Sequence, residues 1–232
     1  MQVLLFLHRL YFFVILNIRN KKTYKMKKII FLFIISSLIS IKGIGLTLSP
    51  ETEVSILTCA PGNELYSLFG HTAIRINDPR HQIDRVYNYG TFDFSTPHFY
   101  LKYARGLLPY QLTVQKFSHF IYNYQLEERT VYAQTIRLDS LEKQRIFDLL
   151  EENLLPQNRY YLYNFLFDNC TTRSRDILLK SLPDSVAWNM PDVNKNFWNL
   201  LDEYLQASPW VQWGIHTILG QRGNRTATTF QY

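Results

Sequence analysis

A chain of 232 residues accommodates one domain plus an export segment, because single cores stop growing at roughly 250 residues. With 47% hydrophobic, 16% aromatic and 19% charged residues, the composition excludes a chain disordered over most of its length. The net charge of +6 is no nucleic-acid footprint: residues 1–45 hold eight Lys or Arg and no acid, leaving 17 bases against 19 acids in the remainder.

Residues 3–18 form an apolar stretch broken by His8 and Arg9. After Met26 come Lys27-Lys28, thirteen apolar or small residues from Ile29 to Ile41, and then Gly43 and Gly45. A cationic head, a short apolar core and a small-x-small exit describe a secretory signal peptide over 26–45. The competing reading, a membrane helix, needs ~20 apolar residues. Met26 therefore reads as the functional start, with residues 1–25 upstream and processing near Gly45. The division expected is an export segment over 1–45 and a periplasmic, envelope-facing domain over 46–232. No cysteine follows the apolar run, so a lipid-anchored N-terminus is not expected.

Residues 52–60 read as a strand closed by Pro61-Gly62-Asn63. Residues 71–76 alternate, with His71, Ala73 and Arg75 on one face and Thr72, Ile74 and Ile76 on the other. After the loop at Asn77-Asp78-Pro79, residues 85–89 return as the second arm of an antiparallel hairpin. Residues 92–124 are densely aromatic, and Gly106 with Pro109 argues against one continuous helix. A strand is expected over 130–138. A capping box at Asp139-Ser140-Leu141-Glu142 then starts a helix with Ile146, Leu149 and Leu150 on one face, ending by Pro156. Residues 160–167 read as a buried-type strand or extended approach. Asp168-Asn169 caps a helix from Cys170 to Ser181, stopped by Pro183. Further helices are expected over 194–206 and 209–219, the second ended by Gly220.

Cys170 sits where a thiol becomes reactive, since first-turn N–H groups and the positive helix end favour the thiolate. Arg173 and Arg175 would add positive potential. A buried structural cysteine is the plainer reading of any isolated Cys. His71, after Gly70 at the start of a strand, is a candidate base held on a rigid element. A third group must orient its ring. If the hairpin pairs Ile76 with Ile83, Asn88 falls opposite His71, with Tyr87 as the runner-up. Cys59 is the other thiol, and in an oxidising compartment a Cys59–Cys170 disulfide is the alternative that would remove the nucleophile. His81, His98 and His119 make no ligand-spaced cluster, so neither a metal nor another cofactor is expected. Phe92, Phe94, Phe99, Tyr100, Tyr103, Leu107, Leu108 and Tyr110 read as core, with an acyl-chain groove or a membrane-dipping surface as the alternative.

Three segments carry a resemblance. Gly70-His71-Thr72-Ala73-Ile74-Arg75-Ile76, then Val86-Tyr87-Asn88-Tyr89-Gly90-Thr91-Phe92, then Tyr160-Tyr161 leading to Phe167-Asp168-Asn169-Cys170-Thr171-Thr172-Arg173 resemble the Lnb N-terminal periplasmic domain family over roughly residues 50–220. That family is similar in layout to circularly permuted NlpC-type papain-like enzymes. The resemblance implies an α+β, papain-like fold with an antiparallel sheet and a nucleophile at a helix N-terminus. It also implies lipoprotein N-acylation through an acyl-thioester on Cys170, with His71 as base and Asn88 orienting the ring. Partners expected are a lipid or lipoprotein substrate at the membrane surface and a membrane-embedded protein, because relatives continue into a membrane portion beyond the position of Tyr232. A hydrolase or amidase acting on cell-wall peptide or lipid ester uses the same dyad. A non-catalytic envelope binding domain is the rival outside enzymes.

Overall fold

In a computed structural model describing residues 45–104, 106–182 and 194–227, alternating apolar and polar residues build strands β1 (Glu53–Cys59), β2 (His71–Asp78) and β3 (Ile83–Thr91). They continue into β4 (Pro109–Lys116), β5 (Val131–Thr135) and β6 (Tyr160–Leu162). The strands form one sheet in the order β5-β1-β2-β3-β4-β6, and every neighbouring pair is antiparallel. Helices are α1 (Phe99–Ala104), α2 (Phe117–Leu126), α3 (Ser140–Leu154), α4 (Cys170–Ser181), α5 (Phe197–Leu205) and α6 (Pro209–Leu219). The chain is therefore α+β. Contacts divide it into Met1–Leu46 and Thr47–Tyr232, and the export segment expected over 1–45 lies, Gly45 apart, outside the described residues.

The period of two decides what each face of the sheet buries. Val54, Ile74, Ile76, Tyr87, Tyr89 and Leu112 point to the face covered by α3 and α4, where Ile146, Leu150 and Ile177 meet them. Leu57, Cys59, Ala73 and Val86 point to the opposite face and pack on Phe120 of α2. A third cluster joins α5 and α6 to Leu68, Phe69 and Leu166, just before β2 and α4. Burying a large aliphatic or aromatic side chain contributes about 1.5–3 kcal/mol each, so the two sheet faces supply most of the drive to fold.

Two sequence expectations need correction. The β2–β3 register pairs Ile76 with Arg85, not Ile83, because the strands extend to Asp78 and Ile83 before a short 3₁₀ turn at Pro79–His81. Residues 160–167 hold only a three-residue strand. Asn164 breaks the run, its side-chain oxygen accepting from the N–H groups of Leu166 and Phe167 at 3.2 Å each. The aromatic segment 92–124 is, as expected, not one continuous helix: it holds α1, β4 and most of α2, elements that the aromatic density alone did not suggest. The alternation of Tyr110, Leu112 and Val114, all packed on the sheet, was the available signal.

Candidate functional site

Two backbone irregularities open a fork in the sheet. β2 and β3 pair only from Ile74 and Tyr87 onward, so His71–Ala73 and Asn88–Thr91 are not paired with each other. On its other side β3 carries a bulge: Asn88 faces Thr113, whereas Thr91 faces Gln111, leaving one extra residue at Tyr89-Gly90. Gly90 adopts φ +90°, and a Cβ there would lie 3.7 Å from the Cys170 Cβ. The start of α4 enters this fork. The Thr72 and Thr171 hydroxyls, 2.9 Å apart, share a hydrogen bond that ties it to β2.

Gly70 places His71. Its φ is +71°, and a Cβ there would stand 2.5 Å from the Cys59 carbonyl oxygen, so the chain turns into β2 at a position with no room for a side chain. His71 then pairs across the strand with Cys59. Its Nε2 donates to Asn88 Oδ1 at 3.1 Å, which leaves Nδ1 for the Cys170 thiol. Asn88 is buried. The assumed register was wrong by two residues, yet a shift of two keeps the same face. Asn88 thus reaches His71 diagonally rather than from directly opposite. Tyr87 points to the other face and donates its hydroxyl to Glu151.

Cys170 is the first residue of α4. Asn169 Oδ1 accepts from the N–H groups of Thr171 and Thr172 at 3.0 and 2.9 Å, and the Arg173 N–H goes to the Asn169 carbonyl. Among the described residues, the Cys170 N–H is the one donor of this first turn with no hydrogen-bond partner. A bidentate Asp168–Arg173 pair, with the guanidinium 3.5 Å above the Tyr161 ring, fixes the turn that delivers Asn169. Arg175 is paired with Asp176. Arg173 therefore braces the helix start, and both arginines are paired with carboxylates.

Burial alone would suppress the Cys170 thiolate. The hydrogen bond and charge of His71, with the Thr72 backbone and the Thr171 hydroxyl, outweigh it and hold the thiol below its ordinary value. Burial likewise opposes a charged His71, but the bond and charge of Cys170, with Asn88, hold the imidazole above its ordinary value. Both directions favour a thiolate–imidazolium pair. Cys59 behaves oppositely: burial among apolar neighbours pushes its thiol up to about 11. Both cysteines are free.

A cleft of about 490 Å³ opens over Cys170 and His71. Its walls are Phe92, Leu108, Tyr110 and Tyr163 on the sheet side and Ile215, Ile218 and Leu219 from α6. The aromatic segment is thus divided. Leu108 and Tyr110 are buried, while Phe92, Phe94 and Phe99 form a ring cluster with Phe94 largely exposed. The side chains of Tyr100 and Tyr103 lie outside the described set. Sequence reasoning missed the contribution of Thr72 and of α6, since only the tertiary fold brings them to Cys170.

Comparison with known proteins points to the same segments. The family model of the Lnb N-terminal periplasmic domain matches residues 47–202. No curated protein and no solved structure matches the chain.

Proposed function

The chain belongs to the Lnb N-terminal periplasmic domain family, an envelope setting, and from that premise we propose that it is a thiol-dependent acyltransferase acting in lipoprotein N-acylation. The observation that carries the reading is the Asn88–His71–Cys170 arrangement at the floor of an apolar cleft. The order of its parts, a strand histidine ahead of a helix-start cysteine, supports assignment to the permuted papain-like enzymes. In the proposed reaction the Cys170 thiolate adds to the carbonyl carbon of an acyl ester, and the Cys170 N–H donates to the oxyanion. Collapse breaks the C–O bond, and the departing alkoxide takes the proton from His71 Nδ1. This leaves a thioester and a neutral imidazole. An amine nitrogen then attacks the thioester, His71 takes its proton, and collapse to the amide expels the thiolate. Asn88 holds the ring through both steps.

The apolar walls suit a fatty acyl chain and limit water at the thioester, which favours an amine over hydrolysis. A reporter lipoprotein tests the reaction in a host depleted of its own N-acyltransferase. Intact mass should rise by one acyl chain when this protein is present with any membrane partner it needs, and not with Cys170→Ala. Release of free fatty acid or cleaved cell-wall peptide, with no N-acylated product, would replace the transferase by a hydrolase.

A further inference from the structure

Helix α6 has apolar residues on its protein-facing side and on its outward side. Val211, Ile215 and Leu219 pack into the cluster with α5. At 100° per residue the outward arc runs Trp213, Thr217, Trp210, Gly214, Ile218, with no charged group in it. Trp210 is 84% exposed, Trp213 67% and Ile218 66%. A helix apolar on both sides belongs in a protein interior or against lipid, and two largely exposed indoles in water are costly.

The arc is continuous with the cleft, since Ile218 and Leu219 also line it. Gly106 and Leu108 line the same cleft, and in the chain around them Phe94, Leu101 and Leu107 are exposed. Charge follows the same pattern. No Asp or Glu occurs from Phe94 to Leu126 or from Tyr204 to Tyr232, whereas Lys102, Arg222 and Arg225 do. Arg222, itself at the cleft, and Arg225 are both exposed. Both stretches are therefore aromatic, aliphatic and basic, bordered by the exposed Asp93 beside Phe94 and by Asp202, which is bonded to His216 of α6.

We propose that the outward arc of α6, with the Phe94–Leu107 rim of the same cleft, docks on the surface of an anionic phospholipid bilayer and opens the cleft directly onto the lipid. Indole rings favour the headgroup level, and the basic rim complements anionic headgroups. Acyl chains then reach Cys170 without crossing water. This docking deepens the acyltransferase reading, but its physical basis is independent of whether Cys170 carries an acyl group.

The test uses the full chain with vesicles of phosphatidylethanolamine and phosphatidylglycerol whose acyl chains are brominated. Because quenching is local, attachment through residues 1–45 does not mimic it. Wild-type tryptophan fluorescence should be quenched strongly, and Trp210→Tyr/Trp213→Tyr should lose more than half of that quenching. Arg222→Gln/Arg225→Gln should weaken it several-fold in anionic vesicles and leave it unchanged in neutral ones. Equal quenching in wild type and the double tryptophan variant, or no quenching of the wild type at all, overturns the proposal; the latter points to a protein partner on this face. An unchanged urea unfolding midpoint in each variant establishes that the fold is intact. Docking without any acyl adduct on Cys170 would defeat the acyltransferase reading alone.

Discussion

At the scale of single residues the proposed chemistry rests on one charge pair. The imidazolium raises the thiolate population of Cys170, and the thiolate in turn holds the proton on His71. Ionisation of Cys170 sets the acid side of the pH window and deprotonation of His71 the alkaline side. Activity should therefore follow a bell, rising as the thiolate forms and falling as the imidazolium is lost. Iodoacetamide should modify Cys170 below the ordinary thiol range of about 8.5, while Cys59, near 11, stays unmodified until the protein unfolds. In His71→Ala only the Thr72 backbone and the Thr171 hydroxyl still oppose the burial of Cys170, so the onset of alkylation should move to higher pH, with roughly a tenfold loss of rate at neutral pH. Asn88→Ala removes only the ring's orientation, and its effect should be several times smaller. A Cys170 profile unmoved by His71→Ala would break the pairing.

At the scale of elements, the site depends on where strands stop pairing. Gly70 is the tightest of these points, combining a left-handed φ with a carbonyl oxygen where a Cβ would go. Gly70→Ala should cost more than the ~1–2 kcal/mol of the backbone term alone and displace His71. Gly106→Ala, with φ +64° and nothing within 4 Å of its Cβ, should cost only that term. Urea unfolding of both variants checks this; equal losses would contradict the steric argument. Much of this element structure was legible. The box at Asp139 and the Asn169 cap announce their helices through residue type alone, and both are present. The β2–β3 register was not legible, because it is set by a 3₁₀ turn at Pro79–His81 that lengthens both strands. The period of two nevertheless kept Asn88 on the correct face. β4 was hidden by its neighbours: Gly106 and Pro109 announce a break, and only the alternation from Tyr110 marks the strand beyond it.

At the scale of the molecule, β2 and β3 supply the imidazole and its amide, and α4 supplies the thiol. α6 and the aromatic rim supply the walls of the cleft. The wall formed by α6 could not be read from sequence, because nothing local links residues 209–219 to Cys170. The proposed chemistry stands or falls on Cys170 taking an acyl group. Purified protein incubated with phospholipid and no amine acceptor should gain the mass of one fatty acyl chain on the peptide containing Cys170. Neutral hydroxylamine should remove it, and Cys170→Ala should lack it. A protein that remains unmodified, with Cys170 free and reactive throughout, or that carries the acyl group on another residue, would contradict the acyl-thioester route.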